Sequence, residues 1–128
     1  MEIRHVIIKV RDQDKALAFY TDVLGLVKKH DVPGPVRWLT VTAPDGAPGV
    51  ELVLEPNDFP PALASQKALY EAGFPATILT TRDIAADHAR LQARGVKFLS
   101  EPKQMGPVVI AFFDDTCGNN IVLSQPMS

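Results

Sequence analysis

Two rhythms of apolar and polar positions alternate along the chain. Residues 3–10, IRHVIIKV, form a nearly continuous apolar, β-branched run and predict a buried strand. Behind it Ala16, Leu17, Phe19, Tyr20, Val23 and Leu24 recur at helical spacing, with Asp12 placed as the N-cap and Gly25 as the C-terminal stop. Strands are predicted over 26–31, 36–43 and 50–56, separated by the PGP (33–35) and PDGAPG (44–49) turns. Segment 57–73 reads as a linker carrying a helix that ends at Gly73. A strand over 74–84 follows, then a helix over 85–95 with Asp83 as its cap and Gly95 as its stop. Strands over 96–100, 108–114 and 120–125 complete the chain, with KQMGP (103–107) and DTCGN (115–119) as turns.

The order strand, helix, three strands therefore occurs twice. A shift of 71 residues lays Ile7 on Ile78, Arg11 on Arg82, Asp12 on Asp83 and Leu52 on Leu123. Arg-Asp recurs at the same strand-to-helix junction, which marks an internal repeat of about half the chain.

His5 interrupts the first apolar run. Strand alternation puts it on one face with Ile3 and Ile7, while Val6, Ile8 and Val10 occupy the other. On the strand 50–56, Val50, Leu52 and Leu54 oppose Glu51, Val53 and Glu55. If the helix covers the Val/Leu faces, His5 and Glu51 lie on the far side, joined by Trp38, since Leu39 and Val41 face the helix. One imidazole and one carboxylate are half of a metal site, or a base with its orienting partner. The repeat places Ala76 and Val122 at the matching positions, and neither binds a metal. Glu55, His30, His88 and Cys117 are the reserve ligands; His88 is expected on a solvent-facing helix surface and Cys117 in a turn.

Composition narrows the class. The net charge is −2, so no basic excess attracts a phosphate backbone, and nucleic acid is not expected as a partner. No apolar run approaches the ~20 residues that cross a bilayer, so no membrane partner is expected either. The charged start MEIRH lacks the apolar segment of a signal peptide. The single cysteine excludes an intrachain disulfide, and a cytoplasmic location is expected.

The stretches HVIIKVRDQDKALAFYTDVLGL, VELVLEP, ATILTTRDIAADHARLQARGV and FFDDTCGNNIVLSQ together resemble the vicinal oxygen chelate superfamily, which holds glyoxalase, bleomycin-resistance and extradiol dioxygenase-like proteins. The resemblance implies one α+β domain over 1–128: module one (1–56), a linker helix (57–73) and module two (74–128). Two tandem βαβββ modules would form a curved mixed sheet around a cavity, in a homodimer. It implies metal ligands on the first and last strand of each module, here His5 and Glu51, with Ala76 and Val122 at the other two places. The function implied is binding of a small molecule in the cavity, lined by Trp38, Tyr70, Phe112 and Phe113, without a complete four-ligand metal site. The alternatives are a divalent-metal-dependent lyase, isomerase or dioxygenase using His5 and Glu51 as ligands, and a metal-free enzyme with His5 as general base and Glu51 orienting it. The cofactor is accordingly none or a divalent metal ion.

Overall fold

A computed structural model describes residues 1–127. The elements run β1 (His5–Val10), α1 (Gln13–Ala18), a π-helical turn (Phe19–Val23), β2 (Val27–Val32), β3 (Trp38–Thr42) and β4 (Glu51–Pro56). They continue through α2 (Pro60–Glu71), β5 (Pro75–Thr80), α3 (Ile84–Ala93), β6 (Lys103–Met105), β7 (Val108–Asp114) and β8 (Asn120–Pro126). Strand pairing gives two four-stranded sheets, ordered β1-β4-β3-β2 and β5-β8-β7-β6. The chain divides into two compact units, the first spanning 1–66 and the second beginning at Lys67.

Each sheet opens with a parallel pair, β1 with β4 and β5 with β8; the remaining pairs are antiparallel. A parallel pair needs a long crossover, and a helix and two strands supply it in each unit. The repeat seen in the sequence is thus a structural duplication. Its helix starts match: Asp12 accepts from the Lys15 N–H at 3.0 Å and Asp83 from the Ala86 N–H at 3.0 Å. Its helix ends match too, since Gly25 and Gly95 take φ of +88° and +89°, which glycine adopts without a Cβ penalty.

Each unit has its own core. Ile8, Val10, Phe19, Tyr20, Leu39, Val41 and Leu54 are buried in the first, and Ile84, Leu91, Ala111, Phe113, Ile121 and Leu123 in the second. No helix among the described residues is long and apolar enough to cross a membrane.

The structure departs from the sequence expectations at four places. The first helix finishes as a π turn, where the Leu24 N–H reaches back to the Phe19 carbonyl at 3.0 Å. A five-residue step of this kind is invisible to a 3.6-residue pattern. Segment 96–100 is not a strand: Val96 and Phe98 alternate like strand residues, but only an isolated bridge joins Phe98 to Phe113. The strand lies instead in Lys103–Met105, inside the predicted KQMGP turn, and turns at Gly106 into β7. His88 does not face solvent; it is 7% exposed, because Ile84, His88 and Leu91 fall at i, i+4 and i+7 on the buried side of α3. Finally, Ile78 stands opposite Val122. The β5–β8 pairing runs two residues out of step with β1–β4, where Ile7 stands opposite Val53, so Ala76 does not face Val122 as the 71-residue shift would have it.

Candidate functional site

The polar groups of the first unit converge on one carboxylate. β1 and β4 pair with His5 opposite Glu51, and β2 and β3 pair with His30 opposite Thr40. In the sheet order β1-β4-β3-β2, Thr40 pairs with Val53, two residues beyond Glu51 on the same face of β4, so His5, Glu51, Thr40 and His30 form a diagonal row on one face. Glu51 is 6% exposed and Thr40 fully buried.

A buried carboxylate is costly unless hydrogen-bonded, and Glu51 has its partners. The Thr40 hydroxyl donates to Oε1 at 2.8 Å and His30 Nδ1 lies 2.9 Å from the same oxygen. Thr40 in turn accepts from the His30 backbone N–H at 3.2 Å, which ties β2 to β3 at this level. His5 Nε2 is 3.6 Å from the other oxygen, Oε2, close enough for charge attraction but too far for a hydrogen bond. The Thr40 hydroxyl first, then the His30 imidazole, hold the Glu51 carboxyl below the ordinary carboxylate range, against the opposing effect of burial. Glu51 is therefore ionised and can only accept, so the proton in the His30 contact sits on Nδ1. Trp38 meets His5 edge-on, with ring centroids 5.5 Å apart, and keeps 41% of its surface exposed.

The residues singled out in the sequence distribute unequally. His5, Glu51 and Trp38 do come together. His30, held only as a reserve ligand, belongs to the row, and Thr40 was not foreseen at all. Glu55 is not available to the row, because it pairs with Lys9 at 3.3 Å. Cys117 is buried at 1% exposure in the second unit. Of the four lining residues expected, only Trp38 is on this face. Tyr70 in the second unit donates its hydroxyl to Asp114, and Asn120 Nδ2 donates to the Tyr70 carbonyl at 3.0 Å. Phe113 is fully buried and is a core residue, while its neighbour Phe112 is half-buried. Thr40 alternates with Trp38 along β3, so its face was legible. Its contact with Glu51 depends on strand register, which was not.

The donor set does not make up a metal centre. Glu51 Oε1 and His30 Nδ1 are bonded to each other, and of the remaining donors His5 Nε2 and Glu51 Oε2 are the pair brought close, 3.6 Å apart, where a catalytic zinc takes three protein ligands. Ala76 is exposed, Val122 is buried and apolar, and Ile78 stands where a partner for residue 122 would be. Among the described residues, no three His, Cys, Asp or Glu side chains are grouped to hold a metal ion.

Comparisons with known proteins agree with the fold. The family model described as "Glyoxalase/Bleomycin resistance protein/Dioxygenase superfamily" matches residues 2–123. An uncharacterized protein, YurT, of Bacillus subtilis (strain 168) is 50% identical over 98% of this chain and 99% of its own. A probable lactoylglutathione lyase of Synechocystis sp. (strain ATCC 27184 / PCC 6803 / Kazusa) is 33% identical over 100% of this chain and 98% of its own. The crystal structure of TnmS3, an antibiotic binding protein from Streptomyces sp. CB03234, superposes with a TM-score of 0.77 at 36% identity, covering 98% of this chain and 96% of that one.

Proposed function

Because the chain belongs to the glyoxalase/bleomycin resistance protein/dioxygenase superfamily, we propose that it binds a small organic molecule on the His5–Trp38–Thr40–Glu51–His30 face of its first module, without a complete four-ligand metal site. The observation that carries this reading is the closed bonding of Glu51. One oxygen serves Thr40 and His30, so the face presents two imidazoles beside an indole, with no three metal donors grouped among the described residues. Exposed aromatic surface next to a few fixed polar groups is the usual composition of a small-molecule site. The antibiotic-binding relative supports the ligand class, and the probable lyase keeps an enzyme among the relatives.

The reading extends to a homodimer in a reducing cytoplasm. β1 is an edge strand, and Ile3 and Ile7 beside it are 82% and 59% exposed, which is apolar surface a second copy would cover. Sedimentation at the monomer mass would remove that extension.

Trp38 is the only tryptophan in the chain, so its fluorescence reports on this face alone. The test is a panel of aromatic antibiotics and metabolites added to protein kept in chelator. A ligand at a hundred times its Kd stabilises the native state by about 2.7 kcal/mol, or about 10 °C in Tm for a chain of this size. A hit quenches Trp38 and raises Tm together. A panel that does neither defeats the reading, and activity that appears only on adding a divalent metal replaces it with the enzyme alternative.

A further inference from the structure

We propose that the open cleft between α1, its π-helical turn and the start of β2 is a second binding site, separate from the Trp38 face. Its ligand is a small primary amine, with the ammonium group beside Asp22 and an apolar body along Leu17, Ala18, Leu26 and Val27. The space measures about 580 Å³, within the roughly 300–1,000 Å³ of small-molecule sites. Local backbone geometry builds it. Residues 14, 17, 18, 21 and 22 recur at spacings of three and four along the helical stretch, which puts them on one stripe. Gly25, at φ +88°, lets the chain turn back beside that stripe, and the Leu26 N–H bonds to the Tyr20 carbonyl at 3.0 Å as β2 sets out. Phe19 and Tyr20 are buried with Leu39 and Val41, while Trp38 alternates with Leu39 on β3. The cleft and Trp38 therefore lie on opposite faces of the sheet.

The walls select the occupant. Ala18 and Val27 are exposed and Leu17 and Leu26 half-buried, so the fold leaves apolar surface there in water. Thr21 donates its hydroxyl to the Leu17 carbonyl at 2.6 Å. At one end, ion pairs link Lys28 to Asp31 at 3.6 Å, Asp31 to Arg37 at 2.8 Å and Arg37 to Asp14 at 2.6 Å, so two acids are matched by two bases. Asp22 follows Asp14 by eight residues, about 12 Å along a helix, and stands at the other end. With it, the groups around the cleft are three carboxylates to two cations. A neutral molecule gains only the apolar floor, and an anion meets surplus negative charge. An amine gains both the floor and the charge.

The probe is 2-phenylethylamine, with 2-phenylethanol as its neutral counterpart. Each is titrated by calorimetry near about pH 7 and at low salt, where the amine is charged and screening is weak, while Trp38 emission is followed. The amine should bind saturably and leave Trp38 emission unchanged. The alcohol should bind about fivefold more weakly, as for the loss of one exposed ion pair. Asp22→Asn should bring the amine down to the alcohol's affinity. Ala18→Phe fills the cleft from an exposed position and should abolish the saturable heat, with an unchanged Tm verifying the fold. Should A18F lower Tm, D22N decides the test, because Asp22 is exposed too. Equal affinity for amine and alcohol overturns the ligand class. Binding undiminished in both variants, or binding that quenches Trp38, puts the compound elsewhere and overturns the site. No saturable heat from either compound overturns the inference outright. The Trp38 face is read by its own panel, so it can stand while the cleft fails.

Discussion

Glu51 and Val122 occupy corresponding strands of the two modules, and both are buried, at 6% in each case. Around Glu51 the neighbouring strands deliver His5, Thr40 and His30; around Val122 they deliver Ile78, and Ile110 stands opposite Ser124 where Thr40 stands opposite Val53. The same backbone plan thus carries a charged centre in one copy and an apolar one in the other. A carboxylate is tolerated inside a sheet only where the adjacent strands bring hydrogen bonds to it. The second module concentrates its buried polar groups elsewhere, in the 115–119 turn. There Asp115 accepts from the Cys117 N–H at 2.7 Å, the Asn119 N–H at 3.0 Å and the Asn119 side-chain amide at 2.8 Å. One module uses its buried carboxylate to gather a hydroxyl and an imidazole from neighbouring strands, and the other uses its own to hold a loop.

Three substitutions break or sharpen that contrast. The largest effect belongs to Asp115→Ala, which strands three donors in a fully buried site and should cost about 3 kcal/mol or more, read from urea unfolding. It should leave ligand quenching of Trp38 intact wherever the protein remains folded. A cost under about 1 kcal/mol would mean that water replaces the carboxylate. Next comes Val122→Glu, which copies the charge of module one without its partners; it should destabilise by about 2 kcal/mol. A neutral result would show that module two can host a carboxylate after all, and that partner side chains are not what separates the copies.

The smallest effect is a pH dependence. The folded-state pKa of Glu51 lies below its ordinary value of 4.5, so the unfolded state takes up the proton first as pH falls. The stability this carboxylate contributes is thus present above that ordinary value and is lost as pH drops through the lower folded value. Glu51→Gln cannot titrate. The stability difference between wild type and E51Q should be largest near about pH 7 and shrink by about pH 3. A difference that is flat with pH would show that Glu51 titrates alike in both states.

Much of this was readable in the chain. The duplication followed from Arg-Asp at two equivalent junctions, and both aspartates do cap their helices. The shared face of His5, Glu51 and Trp38 followed from strand alternation. The rest depends on quantities that side-chain patterning does not carry. Thr40 and His30 reach Glu51 through the register between β2, β3 and β4, which includes an irregularity between Lys28 and His30. The displacement of Ala76 is likewise a matter of register, since β5 pairs with β8 two residues out of step with β1 and β4. His88 is different: its spacing from Ile84 and Leu91 was available and already marked the buried side of the helix, where it was expected to face solvent. Segment 96–100 failed because it meets β7 at a single bridge, Phe98 to Phe113, which does not extend into a strand.

The turn that holds Asp115 also encloses Cys117, the one thiol in the chain and 1% exposed. An alkylating reagent can reach that sulfur only when the turn opens. The rate of its modification in native buffer is therefore a clock for the breathing of module two, one that module one cannot set. A ligand bound to module one that slows this clock would reveal coupling between the two halves of a duplicated chain.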